Sequence, residues 1–243
     1  MKSEKTVSKA IEFRRSIRHY DPNFEIDEEI VKKSLKQASL APNSSNLQLW
    51  QFYHIIDKNI IGKLSRSCFN QPAARTCKQL VVFVVRKDLW KKRANANADF
   101  IKKTFHSNND NSNRRNKMAI NYYKKLIPAI YSDFIGILGF VRYVFAFFTG
   151  IFRPIYRQVL TSDLRVVAHK SCALAAENFM ISMAAYGYDT CPMEGFDSLR
   201  VKRILELPNS SEINMIISCG KRSEKGIYGP RFRVPFDQIY FRK

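Results

Sequence analysis

Three arginines and a serine crowd into five residues, Arg14-Arg15-Ser16-Ile17-Arg18. Guanidinium forks and a hydroxyl at that density suit a phosphate dianion, which accepts several charge-assisted hydrogen bonds at once. Taken alone, the cluster also reads as a solvated basic turn. A second basic pair, Arg231 and Arg233, alternates within Gly229-Pro230-Arg231-Phe232-Arg233. Alternate residues of an extended chain face one way, so this pair points together; the plain alternative is a basic tail. Two neutral motifs lie between. Asn43-Ser44-Ser45-Asn46-x-Gln48, before Trp50, offers short amides and hydroxyls that can address a heterocycle's edge or satisfy the backbone of an ordinary turn. Pro192-Met193-Glu194-Gly195 lies inside Cys191 to Asp197. Its Pro and Gly let the backbone pass close to a flat ligand with N–H groups free to donate; the plain alternative is a helix–helix connector.

Other chemistries lack their residues. His19, His54, His106 and His169 show no H-E-x-x-H or similar spacing, so no metal site is expected. The cysteines Cys68, Cys77, Cys172, Cys191 and Cys219 are odd in number and without C-x-x-C spacing, which fits reduced thiols in a cytosol. No Ser-His-Asp set or carboxylate pair is found, and no residue is assigned a catalytic role. The first sixteen residues have no apolar h-region, so no secretory signal is expected.

The motifs need elements to place them. A short helix is predicted over 7–13, feeding the first arginine cluster. Asp27 is the expected N-cap of a helix from Glu28 to about Leu40, ended by Ala41-Pro42. Residues 51–56 and 80–85 read as strands, the second a continuous apolar run and therefore central. Residues 58–67 form a short helix between them. A long apolar helix is expected over 164–187 with Gly187 as its cap, an amphipathic one over Ser198 to Leu207, and a strand over 213–219. Pro230 and Pro235 argue against regular structure in the tail from Lys221.

Residues 86–158 interrupt this order and read as an insertion in a single domain spanning 1–243. From Arg86 to Lys125 there are twelve basic and three acidic residues, a net of +9. The middle of that stretch, HSNNDNSNRRN, reads as a polar loop. From Phe134 to Phe152, Arg142 is the only charge, and Gly136, Gly139 and Gly150 disfavour one long helix. The whole chain of 243 residues carries a net +20 with 45% apolar and 13% aromatic residues. That is enough to fill a core and excludes a disordered polyelectrolyte. The charge calls for an anionic ligand or surface.

In combination, RRSxR, then PNSSNxQxW, then PMEGFD, then R-x-R resemble the FMN-dependent nitroreductase family over about residues 5–85 and 160–240. Leu49 stands where the family usually has proline, and Asn43 where serine is common. The resemblance implies an α+β fold, a central mixed or antiparallel sheet flanked by helices, with a long helical insertion. It implies a homodimer with two FMN at the interface, each touched by both subunits. By resemblance Arg14, Arg15, Ser16 and Arg18 grip the flavin phosphate and ring edge, and Arg231 and Arg233 close on the phosphate. Ser44, Ser45, Asn46 and Gln48 lie along the flavin, and Pro192, Met193, Glu194 and Gly195 set backbone N–H groups against the isoalloxazine.

The implied activity is ping-pong hydride transfer from NADH or NADPH to a nitro, quinone or similar electrophilic or aromatic substrate. Reductive dehalogenation is the alternative within the fold. A basic nucleic-acid or membrane binder is the alternative outside it, and no RRM, KH, helix-turn-helix or OB signature supports nucleic acid. A single bilayer span at 134–152 would put residues 14–18 and 192–233 on opposite sides of the membrane. That stretch therefore reads as a dimer-interface element, an apolar lid, or a helix making peripheral contact with an anionic membrane from the cytoplasm.

Overall fold

The computed structural model describes residues 4–105, 110–133 and 136–243. Strands β1 (Trp50–Ile55), β2 (Gln79–Val85), β3 (Asp189–Met193) and β4 (Glu212–Gly220) form one antiparallel sheet in the order β1-β2-β4-β3. The helices are α1 (Val7–Phe13), α2 (Glu28–Ala38), α3 (Lys58–Ser67), α4 (Pro72–Thr76), α5 (Trp90–Thr104), α6 (Asp110–Asn121), α7 (Ile127–Tyr131), α8 (Ile137–Phe152), α9 (Thr161–Ala185) and α10 (Ser198–Ile204). A wider π-turn, Tyr122–Leu126, joins α6 to α7.

Strand β2 explains the layering. All seven of its residues are buried, and successive side chains point to opposite faces. Val81, Phe83 and Val85 join Met215 and Ile217 of β4 under α9 and α2. Leu80, Val82 and Val84 join Ile213 and Ile216 under α3, α4 and α10. Both faces of the sheet are covered, so the apolar run needs no alternation. The β2–β4 register shifts between Phe83 and Val84, where Asn214 is the extra residue. Its amide donates to the His169 carbonyl at 3.2 Å.

Local chemistry sets the helix ends. The Asp27 carboxylate accepts from Glu29 N at 2.9 Å, and Asp57 from Ile60 N at 2.8 Å. Such caps contribute about 1 kcal/mol each. Helix α9 buries Ala168, Ser171, Cys172, Ala175 and Ala176, small residues that let α2 and the sheet come close. It closes on Gly187 at φ 81°, one position past its C-cap Tyr186.

Three expectations change. Residues 191–193 are not a helix–helix connector but the middle and end of β3, an edge strand where Pro192 removes no ladder donor the sheet requires. Within the polar 106–116 stretch the chain is helical from Asp110; residues 106–109 lie outside the described residues. Gly139 and Gly150 do not interrupt α8. A Cβ at Gly150 would collide with the Arg157 guanidinium, and one at Gly139 would lie 3.5 Å from Thr161. These glycines give room to the returning chain. Phe134 and Ile135 of the apolar stretch lie outside the described residues.

Candidate functional site

Helix α1 ends at Arg14, whose ψ of 124° takes the chain out of the helix and along the edge of the sheet. Ile17 N donates to Thr190 O at 3.2 Å, and Arg18 N to Gly226 O at 2.9 Å. Ile17 is fully buried; as the inward peg of an extended segment it leaves Ser16 and Arg18 on the other side. The late pair arrives at the same place. Arg15 Nη2 donates to Gly229 O at 2.7 Å, and Arg231 Nη2 to Glu12 O at 2.8 Å and Arg14 O at 2.6 Å. Arg231 thus sits on the last carbonyls of α1, where a cation is favoured.

Arg14, Arg15, Ser16, Arg18, Arg231 and Arg233 line one cavity of about 300 Å³ together with residues 227–230 and Phe232. Among the described residues, none that line it is a carboxylate. Partial desolvation, then the neighbouring charges of Arg15, Arg233 and Arg14, push the Arg231 pKa below its ordinary value. A cleft of like charges in this state gains most from an anion.

The scaffold behind it was not legible in the sequence. Asp189, buried at the start of β3, accepts from Arg222 N at 2.8 Å and from Arg222 Nε at 2.9 Å. Arg222 also donates to Phe13 O at 3.2 Å and lies 4.3 Å from the Phe13 ring centroid. One ion pair therefore ties the end of α1, the edge strand and the tail into one unit. An Asp and an Arg thirty-three positions apart carry no spacing signal.

The Pro192-Met193-Glu194-Gly195 motif lies at the far end of β3. Met193 is buried, Pro192 half-buried, and Glu194 and Gly195 are exposed. Gln71 Nε2 donates to Gly195 O at 2.7 Å, and Asp197 N to Ser67 O at 2.8 Å. The isolated parallel bridge between Ser16 and Thr190 sets the first arginine cluster beside the start of the same strand.

The Ser/Asn turn is built under strain. Ser45, Asn46 and Gln48 have φ of 54°, 49° and 48°, in the left-handed region that costs non-glycine residues on the order of 1 kcal/mol each. The surroundings hold them there. Asn43 Oδ1 accepts from Gln48 N at 2.8 Å, and Ser44 N donates to Ser171 Oγ of α9 at 3.3 Å. Two contacts come from the 86–158 segment: Tyr122 OH shares a 2.6 Å hydrogen bond with Ser45 Oγ, and Asn97 pairs with the Asn46 amide at 2.8 Å. Sequence reasoning missed Asn97 and Tyr122, because only the folded segment brings them to the turn.

The two clusters meet α9 at different places. The turn touches Ser171, and Arg14 Nε lies 3.9 Å from the Glu177 carboxylate. Six residues of helix separate those points by about 9 Å along the axis and about a third of a turn around it. The arginine cleft and the Ser/Asn turn line separate places on one subunit.

Comparison with known proteins gives consistent relatives. The model of the nitroreductase family matches residues 11–221. Protein DrgA of Synechocystis is 26% identical over 215 residues, 88% of this chain and 83% of the relative. A Bacillus subtilis protein named as an NAD(P)H nitroreductase, YdgI, is 25% identical over 228 residues, 93% and 92% of the two chains. Among solved structures, one from Exiguobacterium sibiricum, described as a nitroreductase in complex with FMN, superposes with a TM-score of 0.71 at 22% identity. It covers 100% of this chain and 99% of that one.

Proposed function

Because this chain belongs to the nitroreductase family, a family of oxidoreductases, we propose that it works as an FMN-dependent homodimer. The observation that carries the reading is the arginine cleft: Arg14, Arg15, Ser16 and Arg18 line one cavity with residues 231–233, and none of these is a carboxylate. A phosphate ester brings about −1.5 to −2 charges, which complements that wall. Arg14, Arg15, Ser16, Arg231 and Arg233 hold the ester, and Arg18 sets positive charge beside the ring, favouring its reduced state. Pro192 to Gly195 offer backbone donors at the end of β3. Bound FMN supplies the redox chemistry, taking hydride from NADH or NADPH and passing it to a nitro, quinone or similar electrophile in a ping-pong cycle.

A second copy completes the site, supplying Ser44, Ser45, Asn46 and Gln48 to its partner's cleft. Support for that pairing is the apolar surface left bare on one subunit. Val166 and Leu174 on α9 are 49% and 48% exposed, and Phe232, Phe236 and Phe241 of the tail are 78%, 69% and 73% exposed. A reducing cytoplasm suits the five buried free cysteines. Burial pushes the Cys77 and Cys172 thiols up to about 12, which keeps them protonated.

The test starts with colour. Purified protein is expected to be yellow, to release FMN on denaturation, and to bleach with NADH or NADPH under argon. Arg14→Ala with Arg231→Ala removes two charge-assisted contacts worth about 1.5–3 kcal/mol each, so FMN affinity falls by roughly a hundredfold or more. Full flavin occupancy in that variant refutes the phosphate assignment. Parallel double-reciprocal plots with a quinone acceptor support ping-pong turnover, and intersecting ones refute it.

A further inference from the structure

Helix α8 turns its sides the reverse way for a protein in water. Its inner side is small or polar: Gly139 and Ala146 are buried, and Arg142 reaches inward to Ser132 O at 2.7 Å and Ala129 O at 3.1 Å. The bulky residues point out. Phe140 and Phe145 are 63% exposed, Phe148 60%, Ile151 63% and Phe152 87%. At 100° per residue the apolar side chains sweep an arc of about 220°. The phenylalanines alone expose on the order of 600 Å², as much as the largest patch of an ordinary monomer, about 300–600 Å².

Along the sequence, the charge on either side of this helix is mostly of one sign. Residues 111–160 hold eight Lys and Arg and a single acid, Asp133. Asp133 is engaged within the fold, accepting from Gly139 N at 3.2 Å and from the Thr161 hydroxyl. Arg153 stands exposed where the helix ends, and Lys124 and Lys125 are exposed in the π-turn.

We propose that α8 docks this enzyme on an anionic phospholipid bilayer, lying in the headgroup plane with its phenylalanine arc among the acyl chains and the flanking lysines and arginines on the lipid phosphates. The helix does not span. Its 16 residues reach about 24 Å, short of a hydrocarbon core of about 30 Å. Among the described residues no helix is long and apolar enough to cross a membrane. Fluid lipid surrounds a wide arc, whereas a protein partner packs against one flank. A second copy of this chain would also set two segments of like charge together. Each Lys or Arg near an anionic surface adds attraction, and buried apolar area supplies the rest.

The experiment is flotation of the full-length protein with vesicles of phosphatidylcholine, alone or with about 30 mol% phosphatidylglycerol. Wild type is expected to float with the anionic vesicles roughly tenfold better than with neutral ones, and Phe148→Ser/Ile151→Ser to lose most of that recovery. A second variant, Phe148→Trp, is expected to shift its emission to the blue on anionic vesicles and to be quenched by brominated acyl chains; it stands even if the serine variant folds poorly. Absence of flotation by wild type, undiminished flotation of a folded serine variant, or an unshifted emission from the Phe148→Trp variant overturns the proposal. So does a wild-type oligomer that the serine substitutions dissociate in the absence of lipid, which assigns this face to a second copy.

Discussion

In the arginine cleft, like charges are gathered around a common centre; along α8, bulky apolar groups are spread around an outer arc. Both arrangements are held by the same device, an arginine donating to main-chain carbonyls. Arg231 binds the carbonyls of Glu12 and Arg14 in the first region, and Arg142 those of Ala129 and Ser132 in the second. Internal bonds shape both surfaces, the proposed occupants being an anion in one case and an apolar phase in the other. A charge that is matched internally, Glu212 between Arg165 and His169, supplies the contrast.

The largest effect is expected behind the cleft. Asp189→Ala leaves Arg222 without its buried partner and should cost about 3–5 kcal/mol in urea unfolding, with flavin retention falling alongside. A loss below about 1 kcal/mol would show that the ion pair does not hold the cleft together. Next, Arg142→Met strips α8 of its carbonyl clamps and should cost about 1–3 kcal/mol. If the two regions are independently supported, this variant keeps its FMN; loss of flavin would mean that they are coupled.

Glu212 gives a smaller, pH-dependent effect. Burial alone would raise its pKa, but hydrogen bonds from His169 and Arg165 outweigh that and hold it below the ordinary value. A depressed folded pKa stabilises the fold above the unfolded value of about 4.3, and the contribution is lost as pH falls through the folded one. The urea midpoints of wild type and Glu212→Gln should differ at neutral pH and converge below about pH 4. A constant gap would remove the carboxylate's charge as its source. The smallest change is expected on α8, where Phe148→Ser should shift stability by no more than about 0.5 kcal/mol, because the ring already faces outward. A loss of several kcal/mol would place that ring in a core.

Sequence reasoning reached the elements whose cause is local. Asp27 caps its helix as expected, the apolar run at 80–85 is the buried β2, and residues 58–67 match α3. The RRSxR and R-x-R clusters stood out as basic motifs, and the structure lines one cavity with both. What was missed depends on distant partners. Strand β3 is five residues containing a proline and forms its ladder with the distant β4, so no pattern within it announces a strand. The glycines of α8 read as breakers, since nothing local tells that Arg157 folds back against Gly150. Asn97 and Tyr122 reach the Ser/Asn turn only through helical packing across more than fifty positions.

The clasp between Arg231 and the Arg14 carbonyl joins positions 217 residues apart. During synthesis the first wall of the cleft leaves the ribosome long before the second exists. Nascent chains therefore pass most of their elongation with one wall of the cleft, and loading of the proposed FMN would wait for residue 233. A premature stop between residues 221 and 231 yields a product that encodes all four strands but lacks Arg231 and Arg233.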